Sequence, residues 1–335
     1  MEFKSNPTIA VYAIFKDEEK FAERFLSSCI NADEIILCNT GSIDKTVERL
    51  ERVTNHFKAW SKVLIERIYV SPWRFDDARN AALSLVSPDI DICISLDFDE
   101  YLMPDWKEEF FKNYDPMATR YYHRFTSYWK PPAKSEHWHD RIHVRHGYKW
   151  QLPVHEILEN YEKEESVIWL PNFHMYQTQD MEKPRSSYLP LLEISVRERP
   201  NVWKSWTFLA TEYQKLNRLD DALKALDTAM SLEDSDKAYI SSYKASMLFD
   251  IGKYNESIAS ARTTILYNNI REYNVYLAEL YEKLYHIDKL PQNKKLAKQS
   301  IISAEEITEK PSNYAYNENC WNENFITTKT RIMNL

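Results

Sequence analysis

Asp91-Ile92-Cys93-Ile94-Ser95-Leu96-Asp97-Phe98-Asp99-Glu100 is the stretch whose reading decides the fold. Apolar residues run almost without interruption into three acids. A run this short, following the helical spacing of Arg79 to Val86, reads as a strand buried on both faces. On an extended backbone Asp97 and Asp99 point the same way. Two carboxylates on one side of a strand end repel unless positive charge lies between them. A hard divalent cation carrying phosphate oxygens is the usual answer. The bland alternative is a solvated strand end or a helix cap before Pro104-Asp105.

Upstream, strand and helix patterns alternate. Thr8 to Phe15 is a β-rich apolar run that ends at Lys16-Asp17-Glu18-Glu19. Glu18 to Ile30 has helical spacing, with Phe21, Phe25, Leu26 and Cys29 on one face. Glu34 to Cys38 is a second strand, followed by Asn39-Thr40-Gly41-Ser42-Ile43-Asp44-Lys45-Thr46 and a helix to about Val53. Lys62 to Val70 is a third strand and Asp76 to Val86 a third helix. This alternation predicts a parallel sheet with right-handed crossovers. Ligands of such sheets bind beyond the carboxyl ends of the strands. The polar clusters at Lys16 to Glu18, Asn39 to Asp44 and Asp97 to Glu100 fall at those ends.

From Tyr121 to His174 the pattern becomes strands rich in Tyr, Trp and His, separated by turns. His137-Trp138-His139 places two imidazoles on one strand face with no obvious third partner, and no metal site is read there. From about Asn201 the chain is helical. Trp206, Leu209, Ala210, Tyr213, Ala222, Leu226 and Ala229 occupy the large and small positions of a tetratricopeptide repeat, with Asp234 where a terminal Pro is usual. A shift of 35 residues brings Ala245, Leu248, Ser257 and Ala261 into the matching places. A looser third copy holds Leu277, Ala278 and Tyr281, then an expanded turn and Ala297, Ile301 and Ala304. Three such hairpins bury a continuous core and leave a concave face for a partner.

Composition narrows the classes. The chain has 335 residues, which suggests about two domains. With only 3 Gly, the glycine-rich loops of dinucleotide-binding and triphosphatase folds are excluded. Phosphate must then be held by metal, side chains or helix N-termini. A net charge of −8 disfavours non-specific nucleic-acid binding. Cys29, Cys38, Cys93 and Cys320 show no C-x-x-C spacing, and Cys38 and Cys93 fall in apolar runs as expected of buried thiols. No stretch reaches the roughly 18 apolar residues of a membrane span. A reduced, cytoplasmic setting is expected.

Together these motifs resemble family-two glycosyltransferases of the GT-A fold, in the branch that carries tetratricopeptide repeats after the catalytic domain. Five stretches carry the resemblance, in order: Ala13 to Glu19, Asp33 to Thr46, Phe75 to Leu83 with Arg79-Asn80, Asp97-Phe98-Asp99-Glu100, and Val154-His155-Glu156. Asp17 stands where Asn is commoner in that family, and Asn39 where Asp is usual. The resemblance implies an α/β chain: a GT-A (Rossmann-like) mixed-sheet domain over 1–185, a linker helix over 186–200, an all-α repeat domain over 201–305, and a tail or cap over 306–335.

It further implies metal-dependent, inverting transfer of a sugar from a nucleotide-sugar donor, UDP-linked in most members. The cofactor is a divalent cation, Mn2+ or Mg2+. Asp99 is the expected direct metal ligand, Asp97 a ligand or ribose contact, and His174 the third ligand. Phe15, Asp17, Glu18, Asn39, Asp44, Arg79, Asn80 and Asp97 would line the donor pocket. Arg79 as a salt bridge to Asp97 or Asp76 is the structural alternative. Glu156 is the preferred base, with His155 second and Asp140 third. The acceptor is a peptide, protein or glycan, with a modified DNA base less favoured by the charge. A tetratricopeptide interaction scaffold with a degenerate nucleotide domain is the competing reading. Oligomeric state is left open.

Overall fold

The computed structural model describes residues 6–130, 133–162, 164–182, 188–311 and 317–335. The chain divides into two compact units, Met1–Ser186 and Ser187–Leu335. The domain boundary expected at 185 and the start of the expected linker helix at 186 lie outside the described residues.

In the first unit, β1 (Ile9–Phe15), α1 (Ala22–Cys29), β2 (Glu34–Asn39), α2 (Thr46–His56), β3 (Val63–Arg67), α3 (Phe75–Leu85) and β4 (Ile92–Ser95) follow one another. Then come β5 (Glu100–Leu102), α4 (Trp106–Lys112), β6 (Arg120–Lys130), β7 (Ala133–Val144), β8 (Tyr148–Gln151), β9 (Ile157–Asn160) and β10 (Val167–Thr178). The main sheet runs β3-β2-β1-β4-β7-β6-β10-β5, and β8 and β9 form a separate hairpin. The expected parallel half is present: β1 pairs in parallel with β2 and β4, and β2 with β3. The mixed half begins where β7 adds antiparallel to β4.

Period-two alternation sends successive residues of β1 to opposite faces. Ile9, Val11, Ala13 and Phe15 join a core closed by Phe25 and Leu26 of α1 and by Trp106 and Phe110 of α4. Ala10 and Tyr12 face the other way, into a core closed by Ala82 and Leu83 of α3 and by Trp150 of the hairpin. Both faces of the central strands are therefore covered, as their continuous apolar runs require. Cys38 and Cys93 lie in the second core, and all four cysteines are buried free thiols. Phe25 stacks on Phe98 at 4.2 Å between ring centroids, which fixes the turn carrying the acidic motif.

The second unit is helical. It opens with α5 (Leu189–Glu198), which buries Leu192 and Val196. Three helical hairpins follow: α6 (Trp203–Lys215) with α7 (Leu219–Ser231), α8 (Lys237–Asp250) with α9 (Tyr254–Tyr267), and α10 (Arg271–Asp288) with α11 (Pro291–Glu306). The small residues of the tetratricopeptide pattern pack at the helix crossings: Ala210, Ala222, Ala229, Ala245, Ser257, Ala261, Ala278, Ala297 and Ala304 are all buried. Small side chains there let the paired helices approach closely. The C-terminal helix α12 (Glu323–Met333) seats Phe325 and Ile332 on the last hairpin. Among the described residues no helix is long and apolar enough to cross a membrane.

Candidate active site

The carboxyl ends of β1, β2 and β4 bring three polar loops together. Asp17, in the left-handed region at φ 53°, follows β1. Its carboxylate accepts from the backbone N–H of Ile43 at 2.7 Å, and its own N–H donates to Ser42 Oγ at 3.0 Å. Glu18 N–H donates to Thr46 Oγ1 at 2.8 Å, and Asp44 accepts from Glu19 N–H at 3.0 Å. These bonds tie the loop after β1 to the loop after β2.

Asn39 closes its own loop. Its side-chain oxygen accepts from Gly41 N–H at 2.9 Å and Ser42 N–H at 2.7 Å. Such an Asx-type turn is available to Asn and Asp alike. Phe15 corrects one expectation. Its side chain is 3% exposed and packs on Phe98, so it belongs to the core rather than to an open donor pocket. The cause is strand alternation, which aligns Phe15 with Ala13 and Val11.

Asn80 corrects another. Its amide donates to Trp150 O at 2.9 Å and accepts from Trp150 N–H at 2.9 Å. Adjacent helix positions diverge by about 100°. Arg79 consequently faces the strand ends while Asn80 fastens the β8 strand to α3.

Arg79 is 5% exposed and stands at the centre of an ion-pair network. Its Nε donates to Glu156 Oε2 at 2.9 Å and its Nη2 to Asp97 Oδ1 at 2.7 Å. Arg141 Nη1 reaches the other Asp97 oxygen at 3.2 Å. Both guanidinium groups lie over the Trp150 ring, at 5.1 and 5.7 Å. Trp150 Nε1 in turn donates to Tyr12 Oη at 2.8 Å, which meets His143 Nε2 at 2.9 Å. Burial would raise the Asp97 carboxyl, but the two arginines outweigh it and hold it well below the carboxylate range.

The acidic motif is a turn, not the extended run that the sequence suggests. Glu100 N–H donates to Asp97 O at 2.9 Å, and Asp97 N–H to Glu100 Oε2 at 2.8 Å. The two aspartates therefore meet different surroundings. Among the described residues no cation pairs with the Asp99 carboxylate; its Oδ2 accepts from Gln177 Nε2 at 3.0 Å. Burial, then the charge of Asp97, push the Asp99 carboxyl up to about 6. Burial above all pushes the fully enclosed Glu100 up to about 8. Arg24 Nη2 fixes the backbone here, donating to Asp99 O at 2.9 Å.

His174, expected as a metal ligand, is not what β10 presents to Asp99. Gln177 occupies that place, and an odd separation along a strand sends the two side chains to opposite faces. The His174 ring stacks on Tyr176 at 5.9 Å instead. Among the described residues no cluster of three or more His, Cys, Asp or Glu side chains has the spacing of a metal site. A candidate group for a cation is Asp99, a largely buried carboxylate with no cationic partner among the described residues. That suits a hard ion whose remaining ligands are water and phosphate oxygens.

The three candidate bases separate. Glu156 belongs to the network through Arg79. His155 is exposed and left-handed at φ 53°, on a loop in which Leu152 is also left-handed at φ 81°. Non-glycine residues in this region are uncommon, and Leu especially so. The loop is anchored where Phe75 N–H donates to Pro153 O at 3.0 Å. Asp140 sits in a different cluster, accepting from Arg120 Nη1 at 2.7 Å beside Glu165. Arg141, Gln177 and Arg24 had no local signal. Each acts through a partner at least 44 residues away in the chain.

A family model described as glycosyl transferase family 2 matches residues 11–179. No curated protein sequence matches the chain. Solved structures similar to part of it include a thermophilic TPR protein of Thermus thermophilus, 17% identical, covering 44% of this chain and 72% of that one with a TM-score of 0.34. Another is the Yersinia enterocolitica type III secretion chaperone SycD, solved in complex with a peptide of the translocator YopD. It is 15% identical, covering 39% of this chain and 91% of that one with a TM-score of 0.31.

Proposed function

The chain belongs to glycosyl transferase family 2, and on that premise we propose that its strand-end site transfers a sugar from a UDP-linked donor, with inversion, to an acceptor hydroxyl or other nucleophile. The acceptor classes that fit are a protein, a peptide or a glycan. The observation that carries the reading is the division of labour between two neighbouring acids. Asp97 is neutralised by Arg79 and Arg141, whereas among the described residues no cation pairs with the Asp99 carboxylate.

A divalent cation, Mn2+ or Mg2+, would be held by Asp99 and would neutralise charge on the departing diphosphate. The remaining roles fall to the chain. Asp17, Asn39 and Asp44 hold the two loops that flank the donor's base and ribose. Arg79 is a positioning residue: it fixes Glu156 and Asp97 relative to each other across the strand ends.

Glu156 Oε2 is engaged by Arg79, and among the described residues Oε1 has no hydrogen-bond partner. Oε1 is the atom assigned to take the acceptor proton. The acceptor oxygen forms its bond to the anomeric carbon as the bond to the diphosphate oxygen breaks. The proton passes to Glu156 and the electron pair leaves with the diphosphate.

A panel of nucleotide sugars with mass detection of released or transferred sugar tests this reading. UDP-linked donors should be consumed, and Asp99→Ala should consume none while remaining folded. Full turnover by Asp99→Ala, or in excess chelator, would overturn the metal assignment. Turnover restricted to donors with another base would overturn the donor assignment.

A further inference from the structure

The helical unit carries a groove whose chemistry differs from that of the strand ends. Spacing of three and four residues puts Tyr239, Ser242 and Tyr243 on one face of α8. Ala245 and Leu248 of the same helix are buried. The first turns of α10 set Glu272, Tyr273 and Tyr276 opposite that face. Together with Ser246 these side chains line an open groove of about 370 Å³, and no Lys, Arg or His is among its lining residues.

Among the described residues two lining atoms are left unsatisfied, Glu272 Oε2 and Tyr276 Oη. Glu272 Oε1 accepts from Trp321 Nε1 at 2.6 Å, but its Oε2 is buried with no hydrogen-bond partner. A carboxylate can only accept, so what it lacks is a donor, and a cationic donor satisfies it best. Other negative charges act on the same tyrosines: Asp236 on Tyr239 and Tyr273, and Asp250 on Tyr276. Of the nearby cations, Lys244 is paired to Asp227, Arg331 bridges Glu279 and Glu282, and Arg271 and Lys310 lie over the ring of Trp321, at 4.1 and 6.0 Å. Phenol rings add their negative faces, which attract ammonium and guanidinium groups. A neutral sugar ring could stack on the tyrosines, but it would leave the groove's charge unanswered. An acidic segment would be repelled.

We propose that the groove between α8 and α10 binds a positively charged segment of a partner protein, seating a lysine or arginine side chain over the tyrosines and against Glu272. The inference stands apart from sugar transfer, because every group in it belongs to the helical unit and it is read out by binding.

Calorimetry on the full chain tests it with three probes: a short acetylated peptide of alternating Lys and Ser, its Glu-for-Lys counterpart, and chitohexaose. The Lys peptide should bind, and more weakly as salt rises. Glu272→Gln should weaken it by about tenfold, the loss expected when a charged acceptor becomes neutral. Gln keeps an acceptor for Trp321, and an unchanged circular dichroism spectrum checks the fold. Should that variant misfold, Tyr273→Ala reads the same loss from the opposite side of the groove. Failure of the Lys peptide to bind, preference for the Glu peptide or chitohexaose, or undiminished binding by a folded Glu272→Gln would overturn the proposal.

Discussion

Asp97 and Asp99 stand two residues apart and in opposite electrostatic states. Asp97 lies 2.7 Å from Arg79 and 3.2 Å from Arg141, while the Asp99 carboxylate accepts from the amide of Gln177 at 3.0 Å and forms no ion pair among the described residues. Removing each charge should therefore have a different cost. Asp97→Asn leaves two buried guanidinium groups short of a counter-charge and should destabilise the fold by about 3 kcal/mol. Asp99→Asn removes a charge that forms no ion pair among the described residues and should leave the melting temperature unchanged or raised. Thermal denaturation of the two variants decides the matter; equal losses would contradict this assignment.

Asp99 also sets a pH dependence. Its carboxyl is raised to about 6, so it is charged above that pH and protonated below it. Metal-linked binding of UDP should weaken as pH falls through about 6. Asp97→Asn removes a neighbouring negative charge and should move that midpoint to lower pH. Calorimetric titrations with UDP and Mn2+ between pH 5 and pH 8 read both effects. A midpoint near the ordinary carboxylate value in the native chain would refute the link to Asp99.

Glu100 should act on stability with the opposite sign from a salt-bridged acid. Its ordinary pKa of 4.5 is raised to about 8 in the fold. Between those values the folded chain binds a proton that the unfolded chain has lost, so this contribution is lost as pH rises through the interval. Glu100→Gln keeps an acceptor for Asp97 N–H and removes the titration. It should stabilise the chain at pH 8.5 by about 1–3 kcal/mol and change little at pH 5. Denaturant midpoints at the two pH values test it, and a variant less stable at pH 8.5 would count against a protonated Glu100.

Glu156→Gln keeps the shape and hydrogen bonding of the group that faces Arg79 but cannot accept a proton. Turnover should fall by roughly 10²–10⁴ with UDP affinity within about twofold of the native chain. Native turnover would transfer the base role to His155, since Asp140 is held in the Arg120 cluster.

Asn80→Ala separates structure from donor contact. Loss of the paired bonds to the Trp150 backbone leaves two partly buried groups unsatisfied and should cost about 1–3 kcal/mol. Donor affinity, measured below the new melting point, should hold. A stable variant that binds donor poorly would restore Asn80 to the donor pocket.

The parallel half of the sheet was readable because its signals are local. β1, β2 and β4 announce themselves as short apolar runs ending in polar turns, and α3 by its spacing. The helical hairpins were readable for the same reason: Ala at a fixed spacing marks helix crossings whatever the rest of the chain does. The family resemblance rested on those same stretches, and the match over residues 11–179 contains its five catalytic-domain motifs.

The side chains at the strand ends were a different matter. Asp97 and Asp99 read as a matched pair because both lie on one short stretch. Only the turn closed by Glu100, and the arrival of Arg79 and Arg141 from α3 and β7, made one a counter-ion and set the other apart from both guanidinium groups. Gln177 beside Asp99, with His174 turned away, follows from the register of β10 against β5. Such outcomes depend on pairing between segments distant in the chain, whereas periodicity reports only what each segment does alone. The sequence thus determined the elements and which loops would meet. The tertiary structure decided which charges would face each other once they met, because burial makes each carboxylate's state depend on the cations brought beside it.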